Sequence, residues 1–430
     1  MKDPGAIILH IDVNSAFLSW SALKLLREGS DVDLRLIPSI VGGDQKTRHG
    51  IVVAKSIPAK KYGIQTAETV ASALQKCPDL VMIPPEHSYY REQSRQLMEY
   101  LSEICPVIQQ VSVDECYMDF EPVRKKYPSP EILARKICDG VRETFGFTVN
   151  VGVSDRKVLA KMASDFEKPD RVHTLYASEI REKLWPLPIG DLYMCGKSAA
   201  AKLQTMGINT IGDLAVLDIS YAESWLKKQG RMLWEFANGI DTRSVEPEPF
   251  KAKGVGNSVT LSSNAETREE AYAVIKRLCD KVSLRLEKGE FLAGGICTEI
   301  KYSTFQSVSH QMVLKTETSD SRKLCKAACE LFDEIWNGDP IRLLGVRTTR
   351  LVDQSAPVQL NLFDFQIELE EKRRKEQEKQ RRLAEAERKR QEEEIKKKKE
   401  DSRKQSLEDA LGSIRKRYGE DAIRKGMNTT

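Results

Sequence analysis

Short apolar runs and amphipathic stretches alternate over about the first 350 residues and then give way to charge. Ala6, Ile7, Ile8, Leu9, His10 and Ile11 form an apolar run of strand length ending at Asp12, which predicts a buried strand delivering a carboxylate at its C-terminal end. Ala16, Phe17, Trp20, Leu23 and Leu26 follow near a helical period. Residues 32–85 alternate short strands, such as 50–54, with helical pieces and read as a small α+β insertion. A helical pattern spans 89–106, and alternation over 107–120 predicts a half-buried hairpin. A helix near 131–145, a strand over 149–153 and a helix N-capped by Ser154, with Val158, Leu159, Met162 and Phe166 on one stripe, complete a βαββαβ-like sheet with helices on one face. That architecture hosts many functions and proves none.

A second, all-helical unit lies around 192–214, and Pro247 and Pro249 with Lys251 and Lys253 read as a linker. The third unit, 254–351, has strands and two helices in a two-layer α/β order. About 28 of the 40 residues from 366 to 405 are charged, with signs alternating at helical spacing, so that stretch reads as a solvated helix or disordered spacer. Leu407, Leu411, Ile414 and Tyr418 then mark a modest terminal helix.

The length of 430 residues implies several small cores. No apolar run approaches the roughly 20 residues that cross a bilayer, and Met1-Lys2-Asp3-Pro4-Gly5 does not open a signal peptide, so a cytoplasmic protein without a membrane partner is expected. The 9 Cys lack paired CxxC spacing, which argues against a zinc ribbon, and Cys325 and Cys329 read as buried thiols. A net charge of +4 permits nucleic-acid binding without predicting it.

Asp12 and the pair Asp114-Glu115 each sit at the edge of a predicted central strand. Adjacent strand residues point to opposite faces, so Asp114 and Glu115 share a site only if the chain turns between Val113 and Cys116. Clustered carboxylates repel unless cations lie between them, and hard oxygen ligands suit Mg²⁺, two of which would stabilise an in-line displacement at phosphorus. Three acids alone would equally permit a two-metal nuclease, or be merely solvated.

The runs His10-Ile11-Asp12-Val13-Asn14-Ser15-Ala16-Phe17 and Ser112-Val113-Asp114-Glu115-Cys116-Tyr117-Met118-Asp119 resemble the two carboxylate motifs of the Y-family translesion DNA polymerases, in particular their bacterial polymerase IV class. Val151-Gly152-Val153-Ser154, 161–165 and Lys168-Pro169-Asp170 continue the resemblance, which covers roughly the first 350 residues. It implies that Asp12, Asp114 and Glu115 are catalytic, holding two Mg²⁺ ions together with the Val13 carbonyl. It also implies that Phe17 is a steric gate against ribonucleotides, and that Lys60, Lys61 and Lys168 meet the triphosphate. Where the family usually has a Tyr-Glu-Ala-Arg-Lys run, this chain has Ile57-Pro58-Ala59-Lys60-Lys61, without the phenol or the arginine fork.

The stretch 193–214 resembles a helix-hairpin-helix, in which Gly196, Lys197 and Gly207 would approach DNA phosphate, with Met194 in place of the usual leading glycine. Lys251, Lys253 and Arg347 are further DNA-binding candidates. Gln359-Leu360-Asn361-Leu362-Phe363 has the pattern of a sliding-clamp-binding peptide, with Gln359, Leu360, Leu362 and Phe363 as its contacts.

The implied fold is a multidomain α+β right hand. Its parts are a βαββαβ-like palm (1–19 and 85–176), small fingers (20–84), a helical thumb with the hairpin (177–241), a linker (242–253) and an α/β little finger (254–352). The clamp-binding peptide (353–365), the charged helical or disordered arm (366–405) and a C-terminal helix (406–430) follow. The implied function is low-fidelity, template-directed addition of deoxynucleotides to a primer in translesion synthesis and repair. Its implied partners are primer-template DNA, deoxynucleoside triphosphates and a sliding clamp, bound by a monomer. A catalytically inactive DNA- and clamp-binding protein is the alternative of another class.

Overall fold

The computed structural model describes residues 6–43, 50–248 and 252–355, and from the remainder 373, 377, 380–381, 398–399, 401–417 and 419. Two compact units divide the chain at Gln354.

In chain order the first unit begins with β1 (Ile8–Val13), α1 (Ala16–Arg27), β2 (Ser39–Gly42), β3 (Val52–Lys55), α2 (Ile57–Lys61), α3 (Val70–Lys76) and β4 (Val81–Ile83). There follow α4 (His87–Ile104), β5 (Ile108–Gln110), β6 (Glu115–Asp119), α5 (Pro130–Phe145), β7 (Val149–Ser154), α6 (Lys157–Ser164) and β8 (Val172–Thr174). The sheet order is β5-β6-β1-β7-β8, antiparallel except for the β7/β8 pair, while β3-β2-β4 form a separate small sheet. Residue 19 and residue 20 both lie within α1, so this helix runs from one expected subdomain into the next.

Strand alternation assigns the faces of the five-stranded sheet. Leu9, Ile11, Cys116, Met118, Val151 and Val153 point into a core with Leu97 and Leu101 of α4 and Ile137 and Val141 of α5. The opposite face is not bare, which corrects the expectation of helices on one side only. There Ile8 and Tyr117 pack on Ala160 of α6, and Gly152 admits that helix so closely that a Cβ would lie 2.0 Å from the Ala160 carbonyl oxygen. A glycine within a strand marks such an approach of another backbone. Ser154 is not the N-cap of α6: it ends β7, its hydroxyl donates to the Leu175 carbonyl at 2.6 Å, and Arg156 takes the cap position.

The helical stretch adds α7 (Lys197–Thr205), α8 (Ile211–Ala215), α9 (Ile219–Leu226) and α10 (Lys228–Ala237). Leu203, Ile211, Leu214 and Leu233 share a core with Val158 and Leu159 of α6. Last come β9 (Gly256–Ala265), α11 (Arg268–Lys288), β10 (Phe291–Tyr302), β11 (Ser307–Thr318), α12 (Ser321–Ile335) and β12 (Ile341–Asp353). They build an antiparallel sheet of order β11-β10-β12-β9, one face of which is covered by α11 and α12. Cys325 and Cys329 are half-buried rather than buried as expected: they pack against the core from α12, whereas Cys279 of α11 lies within it.

In the second unit, residues 401–417 are helical, with Leu407 and Ile414 exposed and Leu411 half-buried. Lys251, Tyr418, the peptide contacts Gln359, Leu360, Leu362 and Phe363, and most of the arm 366–405 lie outside the described residues. Among the described residues no helix is long and apolar enough to cross a membrane.

Candidate active site

The antiparallel register sets Asp12 directly opposite Glu115 on the same face of the sheet. Asp114 belongs to the turn before β6, and its carbonyl accepts from the Val13 amide at 3.0 Å. The turn required between Val113 and Cys116 is therefore present, and it brings the adjacent acids to one end of the sheet. Beyond Val13 the chain reverses through Ser15, whose φ of 49° is left-handed, and α1 starts at once. Phe17 is thereby carried back to the strand end, half-buried, its ring stacked on Tyr90 at 4.5 Å and 11°. The Tyr90 hydroxyl is itself anchored by Ser21 at 2.7 Å, so the Phe17 ring rests on a fixed floor.

A single pocket is lined by Asp12, Val13, Phe17 and Asp114 from this corner, by Lys55, Ile57 and Lys60 from β3 and α2, and by Lys168. Lys61 is exposed and does not line it. Ser56 accepts from the Ala59 amide at 3.0 Å and so starts α2 where Lys60 comes to the pocket wall.

Electrostatics bind the acids to lysines. Lys168 Nζ is ion-paired with Asp12 and also lies 2.9 Å from Asp165. Lys161 Nζ donates to Glu115 Oε2 at 2.8 Å and lies 3.3 Å from Asp165. Burial works against both charged lysines, but Asp12 and Asp165 outweigh it in each, with Glu115 added for Lys161, and both ammonium groups are held above the usual lysine value. Glu115 is pulled down to about 2, by His10 first and by Lys161 against the opposing effect of burial. Asp114 moves up, because it is partly desolvated and faces the charges of Asp12 and Glu115.

His10 shares the acid-bearing face of β1, two residues before Asp12. Its Nδ1 is 2.8 Å from Ser164 Oγ, and its Nε2 is 3.2 Å from Glu115 Oε2, outside hydrogen-bond geometry. Burial lowers its basicity. Sequence reasoning gave His10, Lys161 and Lys55 no role. The period-2 alternation of β1 was the available signal for His10; nothing local pairs Lys161 with Glu115 across 46 residues.

Asp12, Asp114, Glu115 and the Val13 carbonyl are hard oxygen donors of the kind Mg²⁺ takes. Among the described residues no three acidic, histidine or cysteine side chains converge on one point, since Asp12 is turned to Lys168 and Glu115 to Lys161. The donors fit divalent cations in chemistry, while Asp12 and Glu115 are each matched to a lysine in the conformation described. Asn14 is buried, and its side-chain amide donates to Thr148 Oγ1 at 3.1 Å.

Gly196 is the N-cap of α7, with no side chain capping the helix and open space where a Cβ would stand. Lys197 beside it is exposed, and Gly207 at the helix exit has a φ of +83°. Met194 takes a φ of 68°, a left-handed conformation that glycine adopts without a Cβ clash. Lys253 and Arg347 are exposed, Arg347 opposite Gly256 and Cys297 on the sheet face away from α11 and α12.

The impB/mucB/samB family model matches residues 11–165, and the model of that family's C-terminal domain matches 252–362. A DNA polymerase IV of Clostridium acetobutylicum is 39% identical over 421 residues, 98% of each chain. One from Bacillus velezensis is 36% identical over 374 residues, 86% of this chain and 89% of its own. Among solved structures, a Y-family DNA polymerase chimera superposes with a TM-score of 0.71 at 22% identity, covering 80% of this chain and 99% of the chimera, a likeness of fold. The chain belongs to the impB/mucB/samB family of Y-family DNA polymerases, in its DNA polymerase IV class.

Proposed function

We propose that the chain is a template-directed, low-fidelity DNA polymerase that extends a primer 3′ end in translesion synthesis and DNA repair. The observation that carries this reading is the single pocket with a carboxylate floor of Asp12 and Asp114, an aromatic ring at Phe17 and basic groups at Lys60 and Lys168. A nuclease needs the acids but has no use for an aromatic gate facing a lysine-bearing wall.

Two Mg²⁺ ions, held by Asp12, Asp114, Glu115 and the Val13 carbonyl, would supply charge neutralisation for in-line attack at the α-phosphate. The chain's own residues do the rest. Lys60 and Lys168 bind the triphosphate, with Lys61 as an outer contributor, and Lys168 exchanges its Asp12 carboxylate for phosphate oxygens. Phe17 presents its ring to the sugar, where an added 2′-hydroxyl meets a side chain that Tyr90 prevents from retreating. Lys161 holds Glu115 in place and, with the His10 imidazole nearby, keeps it ionised.

In the subdomain assignment we adopt, 1–19 and 85–176 are the palm, 20–84 the fingers, 177–241 the thumb, 242–253 a linker and 254–352 the little finger. The uncapped start of α7 at Gly196 and Lys197, the Gly207 turn, and Lys251, Lys253 and Arg347 grip the DNA backbone without reading sequence. Gln359, Leu360, Leu362 and Phe363 within 353–365 dock a sliding clamp, the charged arm 366–405 and the C-terminal helix 406–430 follow in sequence, and the enzyme works as a cytoplasmic monomer.

The test is primer extension on four templates differing at one base, and on a fifth with an abasic site there. Addition that follows the template base and continues past the abasic site supports the reading. Addition indifferent to the template base, or none, rejects it.

A further inference from the structure

We propose that Lys55, at the end of β3, is a triphosphate-binding residue that works with Lys60 to set the affinity for the incoming nucleotide; this rests on the polymerase reading above. Lys55 and Lys60 both line the pocket that contains Asp12 and Asp114. The pocket's other lysine, Lys168, is matched to Asp12 and Asp165, whereas neither Lys55 nor Lys60 has a carboxylate within ion-pair distance among the described residues. Among the described residues Lys55 Nζ donates only to Thr66 Oγ1, at 3.2 Å, and Thr66 is itself on the pocket wall. Glu68, the acid whose charge reaches Lys55, is clamped by Lys76 at 2.5 Å and is not free to neutralise it.

Lys55 is half-buried, and a charge partly withdrawn from water costs free energy unless a partner meets it, while Lys60 beside it stands exposed on the same wall. Burial and the charge of Lys60 both lower the basicity of Lys55, so a polyanion placed between the two relieves a repulsion as well as making new bonds. The Ile57 side chain is apolar and offers a phosphate no hydrogen bond, which leaves Lys55 and Lys60 as the cationic donors of this wall among the described residues. A triphosphate, with several charges in a short span, matches two adjacent cations better than a single DNA phosphodiester does.

The test compares wild type with Lys55→Met and Lys55→Arg in primer extension, reading KM for a deoxynucleotide, inhibition by inorganic tripolyphosphate and Kd for primer-template. Loss of one charge-assisted hydrogen bond predicts that Lys55→Met raises KM and the tripolyphosphate inhibition constant together by about tenfold, with the change larger in KM than in kcat and recovered in Lys55→Arg. Unchanged KM and inhibition constant overturn the proposal, as does weaker primer-template binding in their place. Should wild type itself fail to extend, the polymerase reading falls separately. Lys55 is then judged by calorimetric titration of tripolyphosphate, where about tenfold weaker binding to Lys55→Met upholds the site and equal binding overturns it.

Discussion

Gly152→Ala tests how Asp12 and Glu115 are held, because it adds one carbon at the contact between β7 and α6. The new Cβ would lie 2.0 Å from the Ala160 carbonyl oxygen and 2.5 Å from the Ser164 amide nitrogen, where ordinary contact begins at 3.4 Å. Both atoms are backbone of a packed helix and cannot rotate aside, so α6 must shift as a body by more than 1 Å. Overpacking of this kind costs about 3 kcal/mol, equivalent to a fall in melting temperature of roughly 6–12 °C for a domain of this size. The helix carries Lys161 and Ser164, so the shift also loosens Lys161 from Glu115 and Ser164 from His10. Calorimetric melting combined with primer extension reads both effects. A melting temperature within about 2 °C of wild type, with full activity, would refute the reasoning that close packing at Gly152 positions the acids.

Further outcomes follow from the same geometry. Phe17→Ala reduces discrimination against ribonucleotides by at least about tenfold in single-nucleotide incorporation, and unchanged discrimination would remove Phe17 as the gate. Met194→Gly relieves a left-handed backbone and raises stability by about 1 kcal/mol in a thermal melt, whereas a loss of stability would contradict the strain. For Glu115 the folded value of about 2 lies below the ordinary 4.5, so its ionised contacts stabilise the fold fully above pH 4.5 and fade as pH falls toward 2. Lys161→Met should therefore flatten the acid limb of the stability curve, measured by urea unfolding between pH 2 and 5; an unaltered limb would count against the pair.

Much of this was legible in the residues. The apolar run before Asp12 predicted its strand, and the alternation over 107–120 predicted the hairpin formed by β5 and β6. Alternation also exposed the conflict between Asp114 and Glu115, which the turn before β6 resolves. The face taken by α6 was not legible, since the stripe of Val158, Leu159 and Met162 says that the helix is buried but not against which side of the sheet. Gly152 was the available sign, and it lies within the strand that was predicted. Ser154 misled because a hydroxyl near a helix start serves equally well to tie a strand end, as it does to Leu175. The ion pair of Lys168 with Asp12 joins residues 156 positions apart, beyond the reach of any local pattern. Lys55 is not legible in the sequence, because its want of a carboxylate partner among the described residues shows only in the assembled pocket.

The most direct test of the central claim is rapid-quench addition of a single deoxynucleotide, in Mg²⁺, by wild type and by the Asp114→Asn/Glu115→Gln double variant. Both proteins are first shown to melt alike and to bind primer-template equally. The account predicts template-matched addition by wild type and a loss of at least about a hundredfold in the variant. Equal rates in the two proteins, or no addition by wild type, would contradict it.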